Sequence, residues 1–126
     1  MTRIVKRNED REQIALIHCL ALCAAPGVRW AHIKNEGKRS IQAGRKAKLM
    51  GLKPGIADLI FWRGDSIICF LELKAEKGRL SESQIAFKDD CDANGTPYRV
   101  AYSLDEALTI LDDLGACRTN WRRRAA

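Results

Sequence analysis

Three ionisable residues in this chain sit where charge is not expected. Asp58 lies in the run Gly55-Ile56-Ala57-Asp58-Leu59-Ile60-Phe61-Trp62, and Glu72-Leu73-Lys74 begins fourteen residues after Asp58. Both runs are apolar and rich in β-formers. Such runs exclude charge, because burying an unpaired ion costs several kcal/mol or more. Two carboxylates and a lysine converging on one part of a sheet therefore point to a shared task. The simplest chemistry is that Asp58 and Glu72 hold a divalent cation and Lys74 faces a reacting anion.

The elements that must position these residues are legible in outline. Residues 9–24 read as a helix capped by Asn8 or Asp10, with acids in its first turn and Ala24-Ala25-Pro26-Gly27 at its end. Ile14, Ile17 and Ala21 form one apolar stripe. Glu12 stands at helical spacing from Leu16, Cys19, Leu20 and Cys23, which places it at the edge of the inward face. Val28 to Ile33 alternates as a strand and runs into a turn at Asn35-Glu36-Gly37. The segment from Arg39 to Met50 is either a helix closed by Gly51 or an ordered loop. Ile56–Trp62 and Ser66–Leu73 are the strongest strands, and the short Arg63-Gly64-Asp65 connection makes them a hairpin. Pairing about residue 65 sets Asp58 opposite Glu72, and pairing one residue earlier sets it near Phe70. Strand alternation puts Glu72 and Lys74 on one face.

Ser81 and Gln84 fit a capping box, with Leu80 and Ile85 as a hydrophobic staple, opening a helix that Asn94-Gly95 stops. Tyr98–Tyr102 reads as a strand, and Ser103 with Glu106 opens a last helix ended by Gly115. A strand–helix–strand step from Leu71 to Tyr102 implies a parallel pair. The expected order is α, β, β, β, α, β, α.

At 126 residues the chain is expected to be one domain, with a core over about 9–115 and a basic tail over 116–126. No apolar run approaches the roughly 18 residues needed to span a bilayer. The first ten residues carry no apolar signal region, so a cytoplasmic location is expected, without membrane association. Five cysteines without paired short spacing read as reduced thiols. His18, Cys19 and Cys23 lie close in sequence, but without a C-x-x-C pair they make a poor zinc site. The net charge is +6, and the excess is clustered. Lys38, Arg39, Arg45, Lys46, Lys48 and Lys53 occur without an intervening acid, as do Arg118, Arg122, Arg123 and Arg124. Clustered positive charge suits a phosphate backbone, although it also serves as a solvated face.

Taken together, Gly55-Ile56-Ala57-Asp58, Glu72-Leu73-Lys74 and Ser81-Glu82-Ser83-Gln84 resemble the PD-(D/E)XK nuclease superfamily, and within it the VRR-NUC family. Asn35-Glu36-Gly37 and Met50-Gly51-Leu52-Lys53-Pro54-Gly55 resemble that family's segments ahead of its catalytic Asp. The resemblance covers about residues 9–110. Ala57 stands where the superfamily name implies Pro. The resemblance implies an α/β fold with a restriction-endonuclease-like αβββαβ core, a mixed central sheet flanked by helices. It implies a Mg²⁺- or Mn²⁺-dependent nuclease of the kind found in phage proteins and repair enzymes. Asp58, Glu72 and the backbone carbonyl of Leu73 would ligate the metal. Lys74 would orient the attacking water or stabilise the transition state. Gln84 matches the family's site glutamine, although it completes its capping box whatever the function. The family's first-helix acid matches Glu12, with Glu9 as competitor. Asn35, Lys38, Arg39, Arg45, Lys46, Lys48 and Lys53 would grip nucleic acid. A homodimer acting on branched or junction DNA is the family-level expectation. The alternative is a catalytically inactive nucleic-acid-binding module.

Overall fold

The computed structural model describes residues 9–33, 41–51 and 53–118. Asn35, Glu36, Lys38, Arg39 and the tail arginines beyond Arg118 lie outside the described residues. Eight elements follow in the order α1 (Glu9–Cys23), β1 (Val28–His32), α2 (Ile41–Leu49), β2 (Leu59–Arg63), β3 (Ser66–Leu73), α3 (Glu82–Asn94), β4 (Tyr98–Ala101) and α4 (Leu104–Asp113). The strands form one mixed sheet in the order β1-β2-β3-β4. β1, β2 and β3 pair antiparallel, and β4 runs parallel to β3. The expected α/β architecture is thus observed, and the basic segment left open between helix and loop is the helix α2.

The hairpin resolves the question of register. Its two-residue turn sets Arg63 opposite Ser66, with Gly64 at φ 59°. One extra residue on β3, Ile68, then shifts the pairing between Phe61 and Trp62, so that Leu59 meets Leu71. Beyond the bulge the alignment brings Asp58 level with Glu72. β2 begins at Leu59 rather than at Ile56, because the chain bends at Asp58. Ahead of the bend, Ile56 and Ala57 leave the sheet and pack with Cys91 and Tyr98.

Each face of the sheet has its own cover. On one, Val28, Leu59, Phe61, Leu71 and Leu73 pack with Leu16 and Leu20 of α1 and with Leu108 and Leu111 of α4. The buried stripe of α1 is Leu16, Leu20 and Cys23, the face expected to turn inward with Glu12 at its edge; the stripe of Ile14, Ile17 and Ala21 is more open, with Ile14 58% exposed. The helix is apolar nearly all round, so spacing alone offers two stripes, and the position of α4 selects between them. On the other face α3 is seated by a chain of edge-on rings. Phe70 meets Phe87 at 5.0 Å between centroids, and Phe87 meets Tyr98 at 5.9 Å. The Ser81–Gln84 capping box is complete, and Gly95 closes α3 in the left-handed conformation. Ser103 caps α4 by accepting from Glu106 N–H.

Candidate active site

The two strongest strands bring Asp58, Glu72 and Lys74 to one end of the sheet. Asp58 Oδ2 accepts from the Leu73 N–H at 2.7 Å, so the carboxylate bridges from the β2 side onto β3. Its own carbonyl is held by β1. Ile33 N–H donates to it at 2.8 Å, and His32 Nδ1 lies 3.0 Å from the same oxygen. Backbone and side chain of Asp58 are thus tied to different neighbouring strands, which fixes its position without further packing.

Glu72 is only 5% exposed, between the buried Leu71 and Leu73 but on the opposite face of β3. Lys74 Nζ lies 3.4 Å from Glu72 Oε2. Gln84 Nε2 donates to that same oxygen at 2.8 Å. Gln84 also accepts from Ser81 N–H through Oε1 at 2.8 Å, while its own N–H donates to Ser81 Oγ. One side chain therefore completes the capping box and reaches the buried carboxylate. The cap fixes the glutamine, and the glutamine fixes Glu72.

The electrostatics match this crowding. Burial raises the Glu72 pKa most, and the Asp58 charge adds to it; Lys74 and the Gln84 hydrogen bond offset part, leaving it at about 7. Asp58 is raised as well, chiefly by burial and then by Glu9, against the Leu73 N–H bond, His32 and Lys74. A buried acid raised in part by the charge of a half-buried one beside it forms a site that favours added positive charge. Among the described residues, hydrogen bonds engage only one oxygen of each carboxylate, Asp58 Oδ2 and Glu72 Oε2. The second oxygens leave a hard donor pair, which fits Mg²⁺ or Mn²⁺ with waters completing the shell. No cluster of three His, Cys, Asp or Glu suited to a metal occurs among the described residues.

The acids of α1 divide their work. Glu9 Oε1 accepts from Ala75 N–H at 2.9 Å, directly after Lys74, and its charge is felt at Asp58. Glu12 Oε2 accepts from Leu104 N–H at 3.0 Å, fastening α1 to the first turn of α4. Both line a small cleft with Leu73, Lys74 and Tyr102. Helical spacing places both acids near this cleft but does not separate their partners. Tyr98 was not singled out from sequence; its hydroxyl is buried without a hydrogen-bond partner among the described residues, and burial with the charges of Glu72 and Asp58 raises its pKa.

The basic residues stand apart from this centre. Arg45, Lys46 and Lys48 project from α2, which has no buried residue. Lys53 is exposed, 3.9 Å from Asp90. All five cysteines are free, and His18 is exposed. No helix among the described residues is long and apolar enough to cross a membrane.

Comparison with known proteins agrees with the fold. A model of the VRR-NUC domain matches residues 7–105. A solved structure described as a VRR-NUC domain protein superposes with a TM-score of 0.69 over 88% of this chain and 90% of that chain. Its 17% identity makes this a likeness of fold. No curated protein matches the sequence.

Proposed function

We propose that this chain, which belongs to the VRR-NUC family of nucleases, is a divalent-metal-dependent DNA endonuclease whose centre is Asp58, Glu72 and Lys74. The observation that carries the reading is the buried Glu72 carboxylate beside the half-buried Asp58, with a lysine and a glutamine converging on one oxygen of Glu72. A structural ion pair would be cheaper to build from apolar residues. A site that must accept a cation and an anionic substrate needs these groups.

Asp58, Glu72 and the Leu73 carbonyl would hold Mg²⁺ or Mn²⁺. The ion supplies charge neutralisation at the phosphoryl oxygens and a lowered pKa for attacking water. The remaining work belongs to the chain. Lys74 approaches the phosphate from the Glu72 side and offsets charge developing in the transition state. Gln84 keeps Glu72 aimed. Glu9 secures the backbone after Lys74 and is the first-helix acid nearest in charge to Asp58, while Glu12 anchors α4. Arg45, Lys46, Lys48 and Lys53, with Asn35, Lys38 and Arg39, grip the backbone of DNA, and binding weakens as salt rises. The substrate is branched or junction DNA arising in replication, recombination or repair, and two copies act together, because one small domain covers little duplex.

The test is a panel of junction, flap, duplex and single-stranded DNA with Mg²⁺ or Mn²⁺, with wild type beside Asp58→Ala and Lys74→Ala. Wild type should cut junctions fastest, and both variants should bind without cutting. Mn²⁺-dependent cleavage surviving the loss of Asp58 sinks the site assignment. Salt-sensitive binding by wild type with no cleavage of any substrate favours an inactive binding module.

A further inference from the structure

The segment that delivers Asp58 and the helix that delivers Gln84 meet at Gly55. This residue is buried and has φ +80°, a conformation that disfavours a Cβ. A Cβ there would lie 2.5 Å from the Ser83 carbonyl carbon, 2.6 Å from its oxygen and 2.7 Å from the Gln84 nitrogen. All three are backbone atoms in the first turn of α3, which the capping box holds, so none can swing aside. Gly51, Gly64, Gly95 and Gly115 also have positive φ, but a Cβ at any of them meets nothing within 4 Å. Gly55 alone among these is bare because of what it touches.

We propose that Gly55 is a positioning residue: its bare backbone seats the Ser83–Gln84 peptide, and that contact sets the separation at which Gln84 reaches Glu72 while Asp58 reaches the Leu73 N–H. Raising a 2.5 Å contact to the 3.0–3.4 Å that side chains tolerate separates the two segments by about 0.5–0.9 Å. The Gln84–Glu72 bond is 2.8 Å, and a stretch of that size takes it to the edge of hydrogen bonding or past it. The sequence spacing makes the coupling short, since Gly55 is three residues from Asp58 and its contact is with the Gln84 peptide itself. Only the metal readout below rests on the divalent-cation reading.

The test compares Gly55→Ala, Gly95→Ala, Gln84→Ala and the Gly55→Ala/Gln84→Ala double variant. Gly95→Ala carries similar backbone strain without the clash, and so controls for plain destabilisation. In metal-free protein, the Gln84 side-chain amide signals in a ¹H–¹⁵N spectrum should stay at their wild-type position in Gly95→Ala and move to the free-amide position in Gly55→Ala. In calorimetric Mn²⁺ titrations, Gly55→Ala and Gln84→Ala should each weaken affinity about tenfold, with the double variant no weaker than either. Gly95→Ala should bind like wild type even where its thermal midpoint falls with that of Gly55→Ala. If Gly55→Ala does not fold, Gly55→Asn keeps the clash with less backbone strain and should show the same losses. Unmoved amide signals with full Mn²⁺ affinity in a folded Gly55 variant overturn the proposal, as do Gly55 and Gln84 losses that multiply. If wild type takes up no Mn²⁺, the cation reading fails and the amide signals alone decide the role of Gly55.

Discussion

The two faces of the sheet solve opposite problems. Under α1 and α4 the sheet is covered by Leu, Val, Ala and Phe, and no charged side chain is buried there among the described residues. Under α3 the apolar cluster is small, built on Ala57, Cys91 and Tyr98, and Glu72 is buried beside it. The first face has the close packing from which stability comes. The second gives up packing for a partly desolvated acid pair, a tyrosine hydroxyl without a hydrogen-bond partner among the described residues, and a glycine at a position where a Cβ would clash. β3 serves both, with Leu71 and Leu73 turned one way and Glu72 the other. Burying the site against a stable face lets the costs on the second be carried without unfolding the chain.

The sharpest way to break this division is to remove chemistry while leaving packing intact. Lys74→Ala should lower DNA cleavage on the order of 10²- to 10³-fold, and Asp58→Asn at least as much, with little change in thermal midpoint. The converse is Leu20→Ala on the packed face. It should cost about 2–5 kcal/mol in denaturant unfolding, while the molecules that stay folded cleave at the wild-type rate. Comparable loss of stability from the Lys74 and Leu20 changes would erase the distinction.

A smaller effect follows from Glu72. A glutamate in the unfolded chain ionises near 4.5, whereas in the fold Glu72 keeps its proton to about 7. As pH rises the unfolded chain releases its proton first. Stability of the metal-free protein is therefore full below about 4.5, declines between there and about 7, and levels above, on the order of 3 kcal/mol lower. Asp58, also raised, adds to this slope. Unfolding titrations should find the decline in wild type and much less of it in Glu72→Gln. Mn²⁺ uptake has the opposite sign, because it needs the ionised carboxylate, and should weaken as pH falls below about 7. The smallest effect lies within the packed layer, where α1 meets α4. Glu12→Ala leaves the Leu104 N–H without its acceptor and should cost about 1 kcal/mol, with cleavage nearly unchanged.

What the sequence disclosed follows the reach of each signal. Local chemistry was legible: both serine caps, the Gly95 stop and the hairpin were expected where they occur, because each depends on residues a few positions apart. The Asp58–Glu72 juxtaposition was legible to within one residue. The β3 bulge at Ile68 decides it, and no turn rule announces that bulge. The inward face of α1 was legible from the helical spacing of Leu16, Leu20 and Cys23 to Glu12, but only tertiary contact decides which residues that face meets. The partners of Glu9 and Glu12 were beyond reach for the same reason: they are Ala75 and Leu104, remote in sequence. Gly55 was visible as part of a motif, yet its reason lies in Ser83, which no local pattern links to it.

The account stands most directly on whether Asp58 and Glu72 form a cation site. Mn²⁺ titrated into DNA-free protein at pH 8, followed by the loss of the free-ion paramagnetic resonance signal, measures this without reference to substrate. Wild type and Lys74→Ala should both take up the ion, and Asp58→Asn should lose most of the uptake. Uptake by Asp58→Asn equal to that of wild type, or none by wild type although it cleaves DNA in the presence of a chelator, contradicts the account.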